Sequence, residues 1–138
     1  MKYKIVDHTA DLAVEFFGKT IEELFINSAL SLSEIIFNRK QDKVIGKGEK
    51  ISLKFSDEEV TVLYIDFLRE ILFQINIKFC YFYHFEILKF SDNEISIDCY
   101  YHTLDLDKIA QEIKAVTYHN IRIKKENGIY SSVVTFDI

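Results

Sequence analysis

Two apolar runs at helical spacing, each opened by an acidic capping sequence and set among period-two runs, constrain this fold more than any other feature. Thr20-Ile21-Glu22-Glu23 has the form of a capping box, in which a hydroxyl and a carboxylate satisfy the first backbone N–H groups of a helix. Ile21, Leu24, Phe25, Ser28, Ala29, Leu32, Ile35 and Ile36 follow as one stripe. The spacing predicts a helix from Thr20 to about Phe37. Ser56-Asp57-Glu58-Glu59 repeats the capping form. Val60, Leu63, Tyr64, Phe67, Leu68, Ile71, Leu72 and Ile75 then predict a second helix to about Asn76. Both stripes read as core-facing surfaces rather than cofactor surfaces.

The sequence around these helices alternates. Tyr3 to Asp7 reads as a strand. Leu12, Val14 and Phe16 alternate with Ala13, Glu15 and Phe17 as far as Gly18, and Ile51, Leu53 and Phe55 mark another strand. Phe79 to Phe90 and Glu94 to His102 are strand-like and joined by the turn composition Ser91-Asp92-Asn93. Ile113 to His119 and Ile121 to Lys125 are strand-like as well. Asn127-Gly128 is the strongest hairpin signal, because both residues tolerate positive φ, and Ile129 to Asp137 is the returning strand. Residues 38–46 are polar and read as a loop, and His102 to Glu112 is ambiguous. This order predicts an α+β fold: a mostly antiparallel sheet with two amphipathic helices packed on one face, in a single domain spanning 1–138.

Twelve Phe and eight Tyr with no Pro reinforce the strand content, since aromatic side chains favour pleated, half-buried surfaces. The net charge of −5 lacks the basic footprint of a stand-alone nucleic-acid binder and suits cations or a basic partner. Met1-Lys2-Tyr3-Lys4 runs straight into strand-like sequence, so no signal peptide is expected. No apolar stretch reaches membrane-spanning length, and a soluble cytoplasmic protein is the expectation. Cys80 and Cys99 lie in aromatic runs without metal or redox spacing, and they read as buried thiols acting as small hydrophobes.

The candidate chemistry lies in three segments. The chain as given ends in Asp137-Ile138, which sets a side-chain carboxylate beside the main-chain carboxylate. Asp7 and Asp11 are four residues apart in a short link between two strands. Close like charges repel unless a cation holds them, so convergence of these ends would make an all-oxygen pocket for a hard divalent ion. Each residue also has a simpler reading. Asp is common in turns, His8 alone is a packed or hydrogen-bonded histidine, and Lys114 alone is a solvated side chain. Asp137 follows Val133, Val134 and Phe136, which look buried, and could itself be solvated. There is no phosphate loop, nucleophile elbow or HExxH sequence. The residues by themselves support an α+β domain with a candidate hard-metal site.

Four segments in register resemble the archease family. They are Asp7-His8-Thr9-Ala10-Asp11, Gly18 to Phe25, Glu112-Ile113-Lys114-Ala115-Val116-Thr117-Tyr118-His119, and Val133 to Ile138. The resemblance spans essentially the whole chain, with no departure at the key positions; Cys80 to Asp107 carries little of it. It implies an accessory protein without catalysis of its own, an activator of the RtcB-type RNA ligase that joins tRNA halves with GTP and manganese during tRNA splicing. Promotion of ligase guanylylation and of multiple turnover is implied, with RNA met only through the ligase and no membrane partner. Carried over residue by residue, Asp11, Asp137 and the Ile138 carboxylate would be metal ligands and Lys114 a functional neighbour, with Asp7 and His8 second. Oxygen-only ligands favour calcium first, with magnesium or manganese as alternatives. A small metal-dependent hydrolase and a chaperone-like binding module remain the competing functions.

Overall fold

The alternating runs and helical stripes assemble into two antiparallel sheets that share a layer of two helices. The structure, a computed structural model, describes residues 1–8, 10–40, 48–118 and 120–138. The elements are β1 (Tyr3–Asp7), β2 (Leu12–Gly18), α1 (Ile21–Phe37), β3 (Glu49–Ser56), α2 (Val60–Lys78), β4 (Cys80–Ser91), β5 (Glu94–Thr103), β6 (Ala115–Thr117), β7 (Lys124–Glu126) and β8 (Ile129–Asp137). A 3-10 turn covers Leu106–Lys108. One sheet has the order β1-β2-β8-β6, with β7 also on β8, and the other has the order β3-β5-β4. Every strand pair is antiparallel. Among the described residues no helix is long and apolar enough to cross a membrane.

The α+β expectation holds, and the strands divide between two sheets. The helices cover one face of each. Helix α1 packs against β2 and β4, and α2 packs against β3, β4 and β6. Leu12, Val14 and Phe16 of β2 and Val134 and Phe136 of β8 turn inward, as do Ile95, Ile97 and Cys99 of β5. Phe25 is the hub of the layer, with ring centroids 5.0 Å from Tyr64, 5.6 Å from Phe67 and 5.3 Å from Phe90. Such pairs add about 0.5–1.5 kcal/mol each beyond the area they bury. The Ser28 hydroxyl donates to the Leu24 carbonyl at 2.6 Å. Its only proton is thereby used, so the Tyr64 hydroxyl, 2.6 Å away, donates to Ser28, and both hydroxyls are satisfied. Burial holds the Tyr64 hydroxyl well above its ordinary ionisation range.

The local signals met the structure unevenly. Thr20 caps α1, accepting from the Glu23 N–H at 3.0 Å. The second capping box does not form. Ser56 is still in β3, paired with Glu94, and Glu59 caps α2 without a side-chain bond. The Asp57 carboxylate instead accepts from the Glu59 N–H at 3.2 Å. Helix α2 runs to Lys78 and stops at Phe79, a bulky residue in the left-handed region at φ 54. Its N–H and carbonyl are both used, by the Ile75 carbonyl and the Leu104 N–H at 2.9 Å each. Val133 is 42% exposed rather than buried, because it pairs with Glu15 on the outer face while Val134 pairs inward with Val14. The ambiguous stretch before Ile113 is tied to the end of α1, where the Ala110 and Gln111 N–H groups donate to the Ile36 carbonyl at 2.7 and 3.0 Å. The expected strand from Ile113 shortens to Ala115–Thr117, and that from Ile121 to Lys124–Glu126. Thr9, residues 41–47 and His119 lie outside the described residues, and with them most of the expected 38–46 loop.

Both cysteines are free and buried, as their sequence context implied. Burial raises the Cys80 thiol to about 11 and the Cys99 thiol to about 12, against an ordinary value of 9.0. The folded state therefore disfavours the thiolate. Its stabilisation is complete below the unfolded pKa and is lost as pH rises from about 9 towards 12. Denaturant titrations should show stability falling across that window, and a thiol reagent at pH 8 should react only at the unfolding rate. A second constraint lies at Gly18, where β2 runs into α1. A Cβ there would meet the Leu24 backbone nitrogen at 2.3 Å. Gly18→Ala should cost about 1–3 kcal/mol in chemical denaturation, as overpacking against backbone does.

Candidate metal centre at the end of the larger sheet

Strand register decides which of the predicted residues can meet. Leu12 opens β2 opposite Phe136, and Ala115 opens β6 opposite Asp137. Asp11 is the residue before Leu12, so the ladder continues it towards Asp137. Lys114 is the residue before Ala115, and its backbone N–H donates to the Asp137 carbonyl at 2.7 Å. Ile138 follows directly. Asp11, Asp137, Ile138 and Lys114 thus share one end of the sheet, from three neighbouring strands.

Side-chain alternation aims these groups. Phe136 is buried, so Asp137 stands on the outer face, where the Thr117 hydroxyl donates to its Oδ1 at 3.2 Å. The Ile138 side chain packs against the core, which fixes the last backbone unit at the sheet edge. Asp11 is exposed on a bend. Asp7 ends β1 opposite Ala13, after a bulge between Ile5 and Asp7, which places it one strand further from Asp137. His8 is exposed and lines a separate shallow groove with Tyr3, Glu34 and Ile35 of the α1 side. Lys114 is exposed and lines a groove of about 650 Å³ beside α2.

The donor set is chemically uniform. Asp7, Asp11 and Asp137, with the main-chain oxygen at Ile138, offer only oxygen, a donor type that suits a hard divalent cation better than zinc. Among the described residues, Asp11, Asp137 and Lys114 take part in no ion pair. No three His, Cys, Asp or Glu side chains among the described residues are grouped as they would be around an ion. Side chains alone therefore do not complete a site, and any site here depends on main-chain oxygen or on ligands from outside the chain. Thr117 had no role assigned from sequence, although strand parity with Asp137 would have found it. Asn76, whose amide donates to the Ile113 carbonyl at 3.0 Å, could not have been found that way, because a helix and a strand distant in sequence must first be docked.

Comparison with known proteins places this architecture. The sequence profile of the Archease protein family (MTH1598/TM1083) matches residues 3–138. The chain is 31% identical to the Protein archease of Methanosarcina mazei, over 99% of this chain and 96% of the relative. It is 33% identical to that of Methanosarcina barkeri over the same shares, 99% and 96%. Two solved structures share the fold. The solution structure of Methanobacterium thermoautotrophicum protein 1598 superposes with a TM-score of 0.75 at 24% identity, over 99% of both chains. The crystal structure from Thermotoga maritima described as an archease, possible chaperone, superposes with a TM-score of 0.63 at 23% identity, over 98% of this chain and 96% of that one. The chain belongs to the archease family.

Proposed function

We propose that this protein is an accessory factor of a GTP-dependent RtcB-type RNA ligase in tRNA splicing, promoting guanylylation of the ligase and its repeated turnover without catalysis of its own. Family membership supports the reading. The observation that carries it is the register of β2, β8 and β6, which sets Asp11, Asp137 and Lys114 at one sheet end. The sequence has no phosphate cradle and no recognisable nucleophile–base motif, so a role through a partner suits it better than independent GTP chemistry.

In this reading Asp11, Asp137 and the main-chain carboxylate of Ile138 would hold one divalent ion, with calcium the first choice because its coordination tolerates irregular, partly hydrated geometry. Such an ion would supply positive charge at an otherwise acidic tip. Thr117 keeps the Asp137 carboxylate in place, and the packed Ile138 side chain limits the swing of the last residue. Lys114 would offer a donor to a phosphate or to a carboxylate of the ligase. Asp7 and His8 would be peripheral contacts. A chaperone-like module is the second reading, favoured by Phe73, Ile77 and Tyr118, which are exposed on the α2 side.

Calorimetric titration with calcium should show binding that weakens at least about tenfold in Asp137→Ala, because ligand charge sets affinity in such sites. Residues added after Ile138 should weaken it too. Unchanged binding by Asp137→Ala would remove the metal assignment. Limiting cognate ligase and tRNA halves test the function. Multiple turnover should require this protein, and Lys114→Ala should lower it strongly while leaving the melting temperature nearly unchanged. A ligase that turns over equally well alone would reject the accessory role, and unaided nucleotide hydrolysis by this protein would reinstate the hydrolase reading.

A further inference from the structure

Helix α2 and β6 lie side by side and are pinned at two points. At one point the Asn76 amide donates to the Ile113 carbonyl at 3.0 Å. At the other the Arg69 guanidinium carbon stands 5.4 Å from the centre of the Tyr118 ring. The groove of about 650 Å³ runs between these pins. Its helix wall carries Phe73 and Ile77, exposed at 53% and 60%, and Tyr118 beyond β6 is exposed at 51%. Its other wall is Ala115 and Val116 of β6. Among the described residues β6 pairs only with β8 and ends the sheet order, so its far backbone edge has no strand partner. Along Ala115 to Thr117 that edge offers backbone donors and acceptors to which no other described strand pairs, at a spacing that an extended backbone matches.

We propose that this groove binds an extended peptide segment of a partner protein, which adds as a strand to β6 and lays alternate apolar side chains against Phe73 and Ile77. An unpaired strand edge facing a helix with an apolar floor is the arrangement that strand addition uses: backbone bonds give affinity and alternate pockets give selectivity. Ala115 to Thr117 limits the paired stretch to about three or four residues at roughly 3.3 Å each. Charge sets the polarity of the peptide. Lys114 lines one end and takes part in no ion pair among the described residues, whereas Asp66 and Glu70 line the rim beside Arg69. The peptide carries an acidic residue at the Lys114 end and none at the other. The site shares Lys114 with the edge proposed above for the ligase, and the backbone and apolar contacts of the peptide need neither metal nor ligase.

The test is selection of a phage-displayed library of random seven-residue peptides against the full chain, in chelator and without ligase. Enriched peptides should alternate apolar residues and carry Asp or Glu at one end. A synthetic peptide of the enriched sequence should shift the amide resonances of Ala115 to Tyr118. N-methylation of its backbone at alternate residues should weaken it at least tenfold. Phe73→Ser changes only an exposed side chain and should do the same, and Lys114→Glu should reverse the acidic preference. The inference is overturned if no sequence is enriched, if Phe73→Ser or N-methylation leaves binding unchanged, or if the shifts lie elsewhere.

Discussion

The pairing of β8 with its neighbours is the constraint on which the rest depends. It holds β2 along seven residue pairs on one side, and β6 and then β7 on the other. That single strand joins both ends of the chain into one ladder. It also fixes parity: once Val134 and Phe136 face the helices, Val133, Thr135 and Asp137 must face out. A slip of one residue would bury Asp137 and expose Phe136, exchanging a ring worth about 1.5–3 kcal/mol of burial for a desolvated carboxylate. The hydrophobic register of the core therefore places the acidic edge.

The helices supply the other half of this constraint. Phe25 and Phe67 reach between the sheets, and Ser28 and Tyr64 satisfy each other where α1 crosses α2. Lys2 and Glu34 form an ion pair between the chain start and α1, which secures the outer strand of the larger sheet. The end of α1 then anchors the segment leading to β6 through the Ile36 carbonyl. Lys114 is consequently positioned by contacts that begin in α1, far from it in sequence.

Local rules made much of this legible. Periodicity found both helices and most strands, since apolar spacing reports directly on which face is buried. Asn127-Gly128 marked its hairpin because φ values of 53 and 76 demand such residues. The failures had nonlocal causes. Ser56 looked like a cap, but pairing with Glu94 claimed it for a strand. Val133 looked buried because a run of apolar residues carries no parity until one partner is known. Two sheets rather than one could not be read, since sheet membership depends on which hairpins dock. At the site, the carboxylates were visible as types and as parts of a family pattern. Their adjacency required the register; Thr117 follows from the strand parity that the register sets, and Asn76 required the packing.

Both proposed sites draw on strand ends that the core leaves unfinished. On this side of β8 the pairing is short, because β6 contributes only Ala115 to Thr117. Among the described residues no strand pairs with the far edge of β6, and at its end Asp11, Asp137 and Lys114 project without ion pairs. Hydrated carboxylates there cost the fold little, because neither is desolvated until something docks. In the metal site proposed above, an arriving cation would meet their charge at the surface, so that this part of the free energy would be supplied on assembly rather than in folding. A protein with this arrangement can be stable through its core and still, in the reading proposed above, be completed from outside. That division of labour fits a factor whose chemistry lies in its partner.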